Sequence, residues 1–188
     1  MYFKLDNVTN LTAARWAAAE GFDFISFNFD KNHVDYVSPM VAVEISKWVV
    51  GPKFIGRFDN ACMQTVCDIY DLLNLDAIEI DLTTAEKFSI ADTPPIILQL
   101  NSQNFSKGLE YGKYNTNVFS YSDSDTLNQK ANFPIESFFI PSWPHLLNLP
   151  KIPFGINFNA SNEKEPGILN FDELENSKEF WKTKFEEK

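Results

Sequence analysis

Residues 2–29 read Tyr2-Phe3-Lys4-Leu5-Asp6, then Asn10-Leu11-Thr12-Ala13-Ala14-Arg15-Trp16-Ala17-Ala18-Ala19-Glu20-Gly21, then Phe24-Ile25-Ser26-Phe27-Asn28-Phe29. The outer pieces are short and rich in aromatic and aliphatic residues, as strands are. The middle piece is alanine-rich, opens on an N-capping asparagine and stops at a glycine, as helices do. Strand, helix, strand within one short stretch is the β-α-β pattern, and the fold turns on how often it recurs.

It recurs to the end of the chain. Further strand-like pieces lie at Phe54–Asp59, Ala77–Asp81, Ile96–Asn101, Val118–Ser122, Ser137–Ile140 and Phe154–Asn159, which brings the total to eight. Ser38-Pro39 supplies an N-cap and a first-turn proline for a helix running toward Val50, and another helix spans about Cys62 to Leu73. Weaker helical stretches are Thr83–Ala91, Ser102–Gly112, Ser124–Ala131 and Trp143–Leu149. Phe171–Phe185 is clearer, with Phe171, Leu174, Trp181 and Phe185 spaced along one face. No linker or low-complexity tract interrupts the series. The expectation is α/β: a single (β/α)₈ TIM barrel domain over residues 1–188, compact, with short helices in its second half.

Composition narrows the function. Hydrophobic residues make up 44% and charged residues 22%, as in ordinary globular proteins. The start of the chain has no basic segment followed by an apolar one, and no long apolar run occurs, so a cytoplasmic location is expected. A net charge of −10 argues against nucleic acid and anionic membranes, which require a basic face, and against substrates with several phosphates. Cys62 and Cys67 lie five residues apart on one helix and hence on different faces. They read as small buried thiols rather than a disulfide or metal pair. His33 and His145 have no Cys or His neighbours, so neither a metal nor a cofactor is expected. His33 reads as a surface residue of the loop after the second strand. Tyr111, Tyr114, Phe133 and Trp143 read as packing residues before interface ones.

The strands are unusual in alternating apolar with polar residues, where parallel strands are normally aliphatic throughout. If the apolar set packs against the helices, then Lys4, Asp6, Ser26, Asn28, Asp30, Arg57, Asp59, Glu79, Asp81, Gln99, Asn101, Asn157 and Asn159 face the barrel axis. These cluster toward strand C-termini, where barrel enzymes keep their active sites. Three readings follow: a site for a polar or cationic small molecule, a filled and internally paired network, or a cation held by carboxylates.

The order of motifs resembles the phosphoribosylanthranilate isomerase family. The resemblance is carried by Lys4-Leu5-Asp6-Asn7-Val8-Thr9-Asn10 (family pattern Lys-Ile-Cys-Gly-Ile-Thr-Asn), Ala19-Glu20-Gly21-Phe22-Asp23 and Tyr36-Val37-Ser38-Pro39. It continues in Gly56-Arg57-Phe58-Asp59-Asn60, Leu75-Asp76-Ala77-Ile78-Glu79-Ile80-Asp81, and Glu163 with Pro166-Gly167. It implies a TIM barrel, isomerase chemistry and a place in tryptophan biosynthesis. It also implies a departure. Asp6 stands where the family has its cysteine base, and the acid ending strand six would have to be Tyr121 or Asp123. Asp35 replaces an arginine that holds the substrate carboxylate, and Asp81 replaces a histidine. Pro141-Ser142-Trp143 and Asn159-Ala160-Ser161 stand where glycines cradle phosphate.

The catalytic candidates are therefore Asp6, Tyr121 and Asp123, and the ligand-binding candidates Lys4, Asn28, Asp35, Arg57, Asp59, Glu79, Asp81, Gln99, Asn157 and Asn159. Three functions fit: an isomerase-like barrel that has lost its reaction and binds a small polar molecule, an isomerase using Asp6 as base, and a scaffold with a closed interior.

Overall fold

Local signals set each β-α unit. Asn10 Oδ1 accepts the Ala13 N–H at 2.9 Å and starts α1 (Leu11–Ala19), which ends at Gly21 with φ +70°. The Ser38 hydroxyl caps α2 (Pro39–Ser46), with Pro39 opening the first turn. Helix α3 (Met63–Leu73) ends at Asn74, whose left-handed φ of +49° suits asparagine better than other side-chain-bearing residues. The computed structural model describes residues 1–88, 94–101, 103–115, 118–121, 138–142, 153–161, 163–165 and 168–186.

The strands are β1 (Tyr2–Asp6), β2 (Phe24–Asn28), β3 (Lys53–Phe58), β4 (Ala77–Asp81), β5 (Ile96–Leu100), β6 (Val118–Tyr121), β7 (Phe138–Pro141) and β8 (Gly155–Asn159). Each pairs in parallel with the next, and β8 pairs with β1, which closes the barrel. All eight coincide with the strands expected from sequence to within a residue at either end. Three helices differ from expectation. Helix α2 ends at Ser46 rather than near Val50. The fourth shrinks to α4 (Leu82–Ala85), because the Thr83-Thr84 pair is a poor helix former and the Thr84 hydroxyl is taken by the Asn60 N–H. The fifth, α5 (Phe105–Asn115), starts late because Asn101 Oδ1 first accepts the N–H groups of Gln103 and Asn104 in a turn. The expected helices at 124–131 and 143–149 lie outside the described residues. A small antiparallel hairpin, β9 (Glu163–Glu165) with β10 (Ile168–Leu169), was not expected, its strands being too short to show alternation.

The long helix α6 (Phe171–Glu186) closes the seam between β8 and β1. Phe171 packs on Trp16 of α1 at 5.1 Å between centroids, and the fully buried Trp181 anchors its middle. The Lys178 ammonium donates to the Glu20 carbonyl and lies over the rings of Phe22 and Phe3. Ring pairs such as Phe22–Phe158, edge-on at 5.3 Å, add about 0.5–1.5 kcal/mol each beyond their burial. At the lower rim, carboxylates clamp the ends of neighbouring strands: Asp23 accepts the Phe3 N–H and Asp76 the Phe54 N–H, both at 2.8 Å. Among the described residues no helix is long and apolar enough to cross a membrane.

Candidate functional site

Strand register shows which side chains share the barrel axis. Lys4 pairs with Asn157, Asn28 with Arg57, Arg57 with Glu79, Asp81 with Gln99, and Gln99 with Ser120. These are the polar positions of each strand, while Leu5, Ile25, Phe58, Ile80 and Phe158 belong to the main core outside. The sequence reading of inward polar and outward apolar faces therefore holds for the upper part of the strands, while lower down Ile55, Ile97 and Phe139 turn apolar side chains inward.

The lower interior is closed. Ile55, Ile97 and Phe139 form a buried cluster with Phe24, Ala77, Val118 and Phe154 around it. Gly155 makes room for it, since a Cβ there would stand 2.4 Å from a Phe139 ring carbon and 2.8 Å from the Tyr2 carbonyl. Directly above lies Lys4, wholly buried, its ammonium hydrogen-bonded to Glu79 and 5.1 Å from the centre of the Phe139 ring. Burial works against the ammonium, but Asp6 and Glu79 outweigh it and raise the Lys4 pKa. Glu79 is equally buried. Desolvation opposes its charge, yet Lys4 and then Arg57 hold it below the usual carboxylate range.

The upper interior is open. A pocket of about 620 Å³ is lined by Asp6, Asn7, Arg57, Glu79, Gln99, Ser120, Asn157 and Asn159. It continues over Pro141 and Ser142 to Asn170, Glu173, Leu174 and Ser177 at the start of α6, and as far as Phe180 and Trp181. Asp6 Oδ1 lies 3.1 Å from the Lys4 ammonium, yet the alignment gives it no hydrogen bond. Desolvation pushes the Asp6 pKa up to about 6, against the pull of Lys4 and with repulsion from Glu79 added. Arg57 puts both Nε and Nη2 on one oxygen of Asp59, at 3.3 and 3.1 Å. Burial, reinforced by Asp81 and Glu79, raises Asp59 despite that partner.

Among the described residues, four buried side-chain oxygens have no well-aligned hydrogen-bond partner: Oδ1 of Asp6, Asp59, Asn157 and Asn170. Three of these residues line the pocket. The orientation of Asn170 is settled chemically, because its Nδ2 donates at 2.7 Å to Glu173, which as a carboxylate can only accept. Asn157 donates its Nδ2 to the Ser120 hydroxyl at 3.2 Å.

A chain of amides forms the rim. Asn28 donates to Asn7, and Asn7 to Asn159. Asn159 accepts the Ser161 hydroxyl, which also contacts the Asp35 carboxylate. His33 Nδ1 accepts the Asp35 N–H at 3.1 Å. Asn7 was not singled out from sequence. Its signal was available, because it stands where the family pattern has glycine and it carries a left-handed φ of +58°.

Of the expected site residues, Asp6, Arg57, Glu79, Gln99, Asn157 and Asn159 do meet in the pocket. Lys4 and Asn28 are fully buried and do not line it. Asp81 is a correction: its Oδ1 accepts the Thr84 N–H and caps α4. Asp30 likewise closes a turn onto Asn32. Asp35 sits on the rim rather than in the pocket. Tyr121 pairs with Leu100 on β6 and packs edge-on against Phe105 at 5.9 Å, and it also borders the pocket at the mouth. Asp123 lies outside the described residues, as do His145, Phe133, Trp143 and the Pro166-Gly167 pair; nothing is described of the Tyr114 side chain. Cys62 is exposed at the start of α3 and Cys67 half-buried, so neither is the buried thiol expected, because both fall off the face of α3 that packs inward through Val66, Ile69 and Leu73. Tyr111 is half-buried, its hydroxyl donating to the Ala85 carbonyl. Among the described residues no three His, Cys, Asp or Glu side chains form a group that could hold a metal ion.

Comparison with solved structures gives matches over nearly the whole chain. A phosphoribosyl anthranilate isomerase in complex with reduced 1-(o-carboxyphenylamino)-1-deoxyribulose 5-phosphate is 19% identical, with 93% of this chain and 95% of that one covered and a TM-score of 0.74. The phosphoribosyl anthranilate isomerase of Thermotoga maritima is 17% identical over the same shares, with a TM-score of 0.71. That of Thermus thermophilus is 15% identical, again over 93% and 95%, with a TM-score of 0.69. No family model matches the sequence, and no curated protein matches it. The fold is thus the (β/α)₈ barrel of these isomerases.

Proposed function

We propose that this chain is an isomerase-like barrel that binds a small polar molecule at the C-terminal mouth and does not catalyse the isomerisation its structural neighbours are named for. The observation that carries this reading is the charge of the pocket. Among the described residues in and directly beneath the pocket, the carboxylates of Asp6, Asp59, Glu79 and Glu173 outnumber the two cations, Lys4 and Arg57. Both cations are already engaged, Lys4 by Glu79 and Asp6 and Arg57 by Asp59. The ligand in one neighbour has, by its name, a carboxyphenyl group and a 5-phosphate. Both are anionic, and both would meet a negative wall here.

The start of α6 points the same way. A helix N-terminus favours anions through its free N–H groups and dipole. Here Asp172 and Glu173 already supply negative charge in the first turn, and Glu173 is tied to Asn170. A phosphate would be repelled from the place that usually attracts it.

One observation favours the second reading, an isomerase with Asp6 as base. A carboxyl with a pKa of about 6 at the end of β1 is ionised at neutral pH and basic enough to take a proton. The third reading, a closed scaffold, describes only the lower interior. The fluorescence assay for consumption of phosphoribosylanthranilate, run with Asp6→Asn alongside, separates the first two. No turnover by either protein is expected. Turnover that Asp6→Asn abolishes would establish the isomerase instead.

A further inference from the structure

Resting on the mouth-binding reading above, we infer that the pocket selects a small molecule that carries an ammonium group beside hydroxyl or amide donors, an amino sugar or amino alcohol in class, with the ammonium at Asp6. The argument begins with pairing. Lys4 has its hydrogen bond with Glu79, and both bonding nitrogens of Arg57 go to Asp59. Once these pairs are set aside, Asp6 is left to share the Lys4 ammonium with Glu79: its Oδ1 lies 3.1 Å from that ammonium as an ion pair, but without well-aligned hydrogen-bond geometry.

The rest of the pocket asks for the same chemistry. Oδ1 of Asn157 and Oδ1 of Asn170 are also acceptors lacking donors, on residues at the β8 side and at the entry to α6. An unsatisfied buried acceptor is costly, and a ligand that supplies N–H or O–H groups relieves that cost while an acceptor-rich ligand adds to it. A cavity of about 620 Å³ is of the size that holds small-molecule ligands.

Binding should depend on pH. The charged groups around Asp6 are Lys4 on its own strand, Arg57 on β3 and Glu79 on β4, with Glu173 of α6 lining the same pocket; β8 contributes the uncharged Asn157 and Asn159. An ammonium ligand binds the ionised form of Asp6, so affinity should rise with pH up to roughly neutrality and then level off.

Three probes on one ring test the inference: glucosamine, glucose and glucose 6-phosphate, titrated into the ¹⁵N-labelled protein while the amide resonances of Asn7, Ser142 and Asn170 are followed. Expected are mouth-localised shifts with glucosamine, binding on the order of tenfold tighter than glucose, weakening below pH 6, and none with the phosphate. Asp6→Asn should bring glucosamine down to the level of glucose, and Asn170→Ala should weaken both sugars, which covers the case of one variant folding poorly. If glucose binds as well as glucosamine and Asp6→Asn changes neither, the ammonium inference is overturned while the mouth reading stands. If no probe shifts a mouth resonance, both fall. Preference for glucose 6-phosphate overturns the inference in favour of an anion site.

Discussion

The two halves of the barrel interior use the same kinds of side chain to opposite ends. In the floor, Lys4 and Glu79 are buried to the same degree, hydrogen-bonded to each other, and sealed by Phe139 and its apolar neighbours. In the mouth, Asp6 shares the same ammonium but gets no hydrogen bond from it, and keeps a pKa of about 6. One cation thus serves two carboxylates unequally: Glu79 is held ionised, Asp6 is left strained in its charged form. A floor of satisfied pairs is scaffolding, whereas a mouth with unsatisfied acceptors spends stability to remain ready for a partner.

The largest effect should come from breaking the floor. Lys4→Met leaves Glu79 buried without its cation, and removing one partner of a buried pair typically costs about 3–5 kcal/mol. Urea unfolding of Lys4→Met should show a loss of that order, and adding Glu79→Met should recover most of it. The floor is not a true buried pair if the double variant is no better than the single.

A smaller effect of opposite sign is expected in the mouth. The folded protein keeps its Asp6 proton up to about pH 6, while an unfolded carboxyl releases it near its ordinary value of 3.8. Asp6 therefore subtracts stability as pH rises through that window, and the loss is complete above it. Asp6→Asn cannot ionise, so it should match the parent near pH 4 and exceed it by roughly 1–3 kcal/mol at pH 8, read from paired urea curves. Glu79 has the reverse sign: its contribution is present above the ordinary carboxylate pKa and lost only as pH falls through its depressed value.

The smallest effect belongs to the rim. Ser161→Ala removes the hydroxyl that joins Asp35 to Asn159 across the top of β1. It should cost roughly 0.5–1.5 kcal/mol and raise hydrogen exchange in the loops around residues 35 and 161, leaving the floor strands unchanged.

The sequence carried the fold well because each strand advertises itself twice, by its apolar alternate positions and by the cap or turn that follows. Asn10, Ser38 and Gly21 do in the structure what their types imply. The site was only half legible for a related reason. Alternation identifies inward positions within a strand, so Arg57, Glu79, Gln99 and Asn157 were placed correctly. At the strand end the rule lapses, and there Asp81, the last residue of β4, caps α4 while Asn101, just past β5, closes a turn. Tyr121 was chosen because the family's acid ends strand six, whereas parity alone names Ser120 as the inward residue of β6. Depth within the barrel leaves no mark on a strand at all, which is why Lys4 and Asp6, two residues apart on one face, could not be told apart as floor and mouth.

The most direct test of the account is calorimetric titration of the protein with reduced 1-(o-carboxyphenylamino)-1-deoxyribulose 5-phosphate, the ligand held by one of its structural neighbours. An acidic mouth, with Asp172 and Glu173 in the first turn of α6, predicts no saturable binding at neutral pH. Saturable one-to-one binding that Asp6→Asn alters would contradict it, and would mean that the barrel still recognises the isomerase ligand despite the carboxylates that line its entrance.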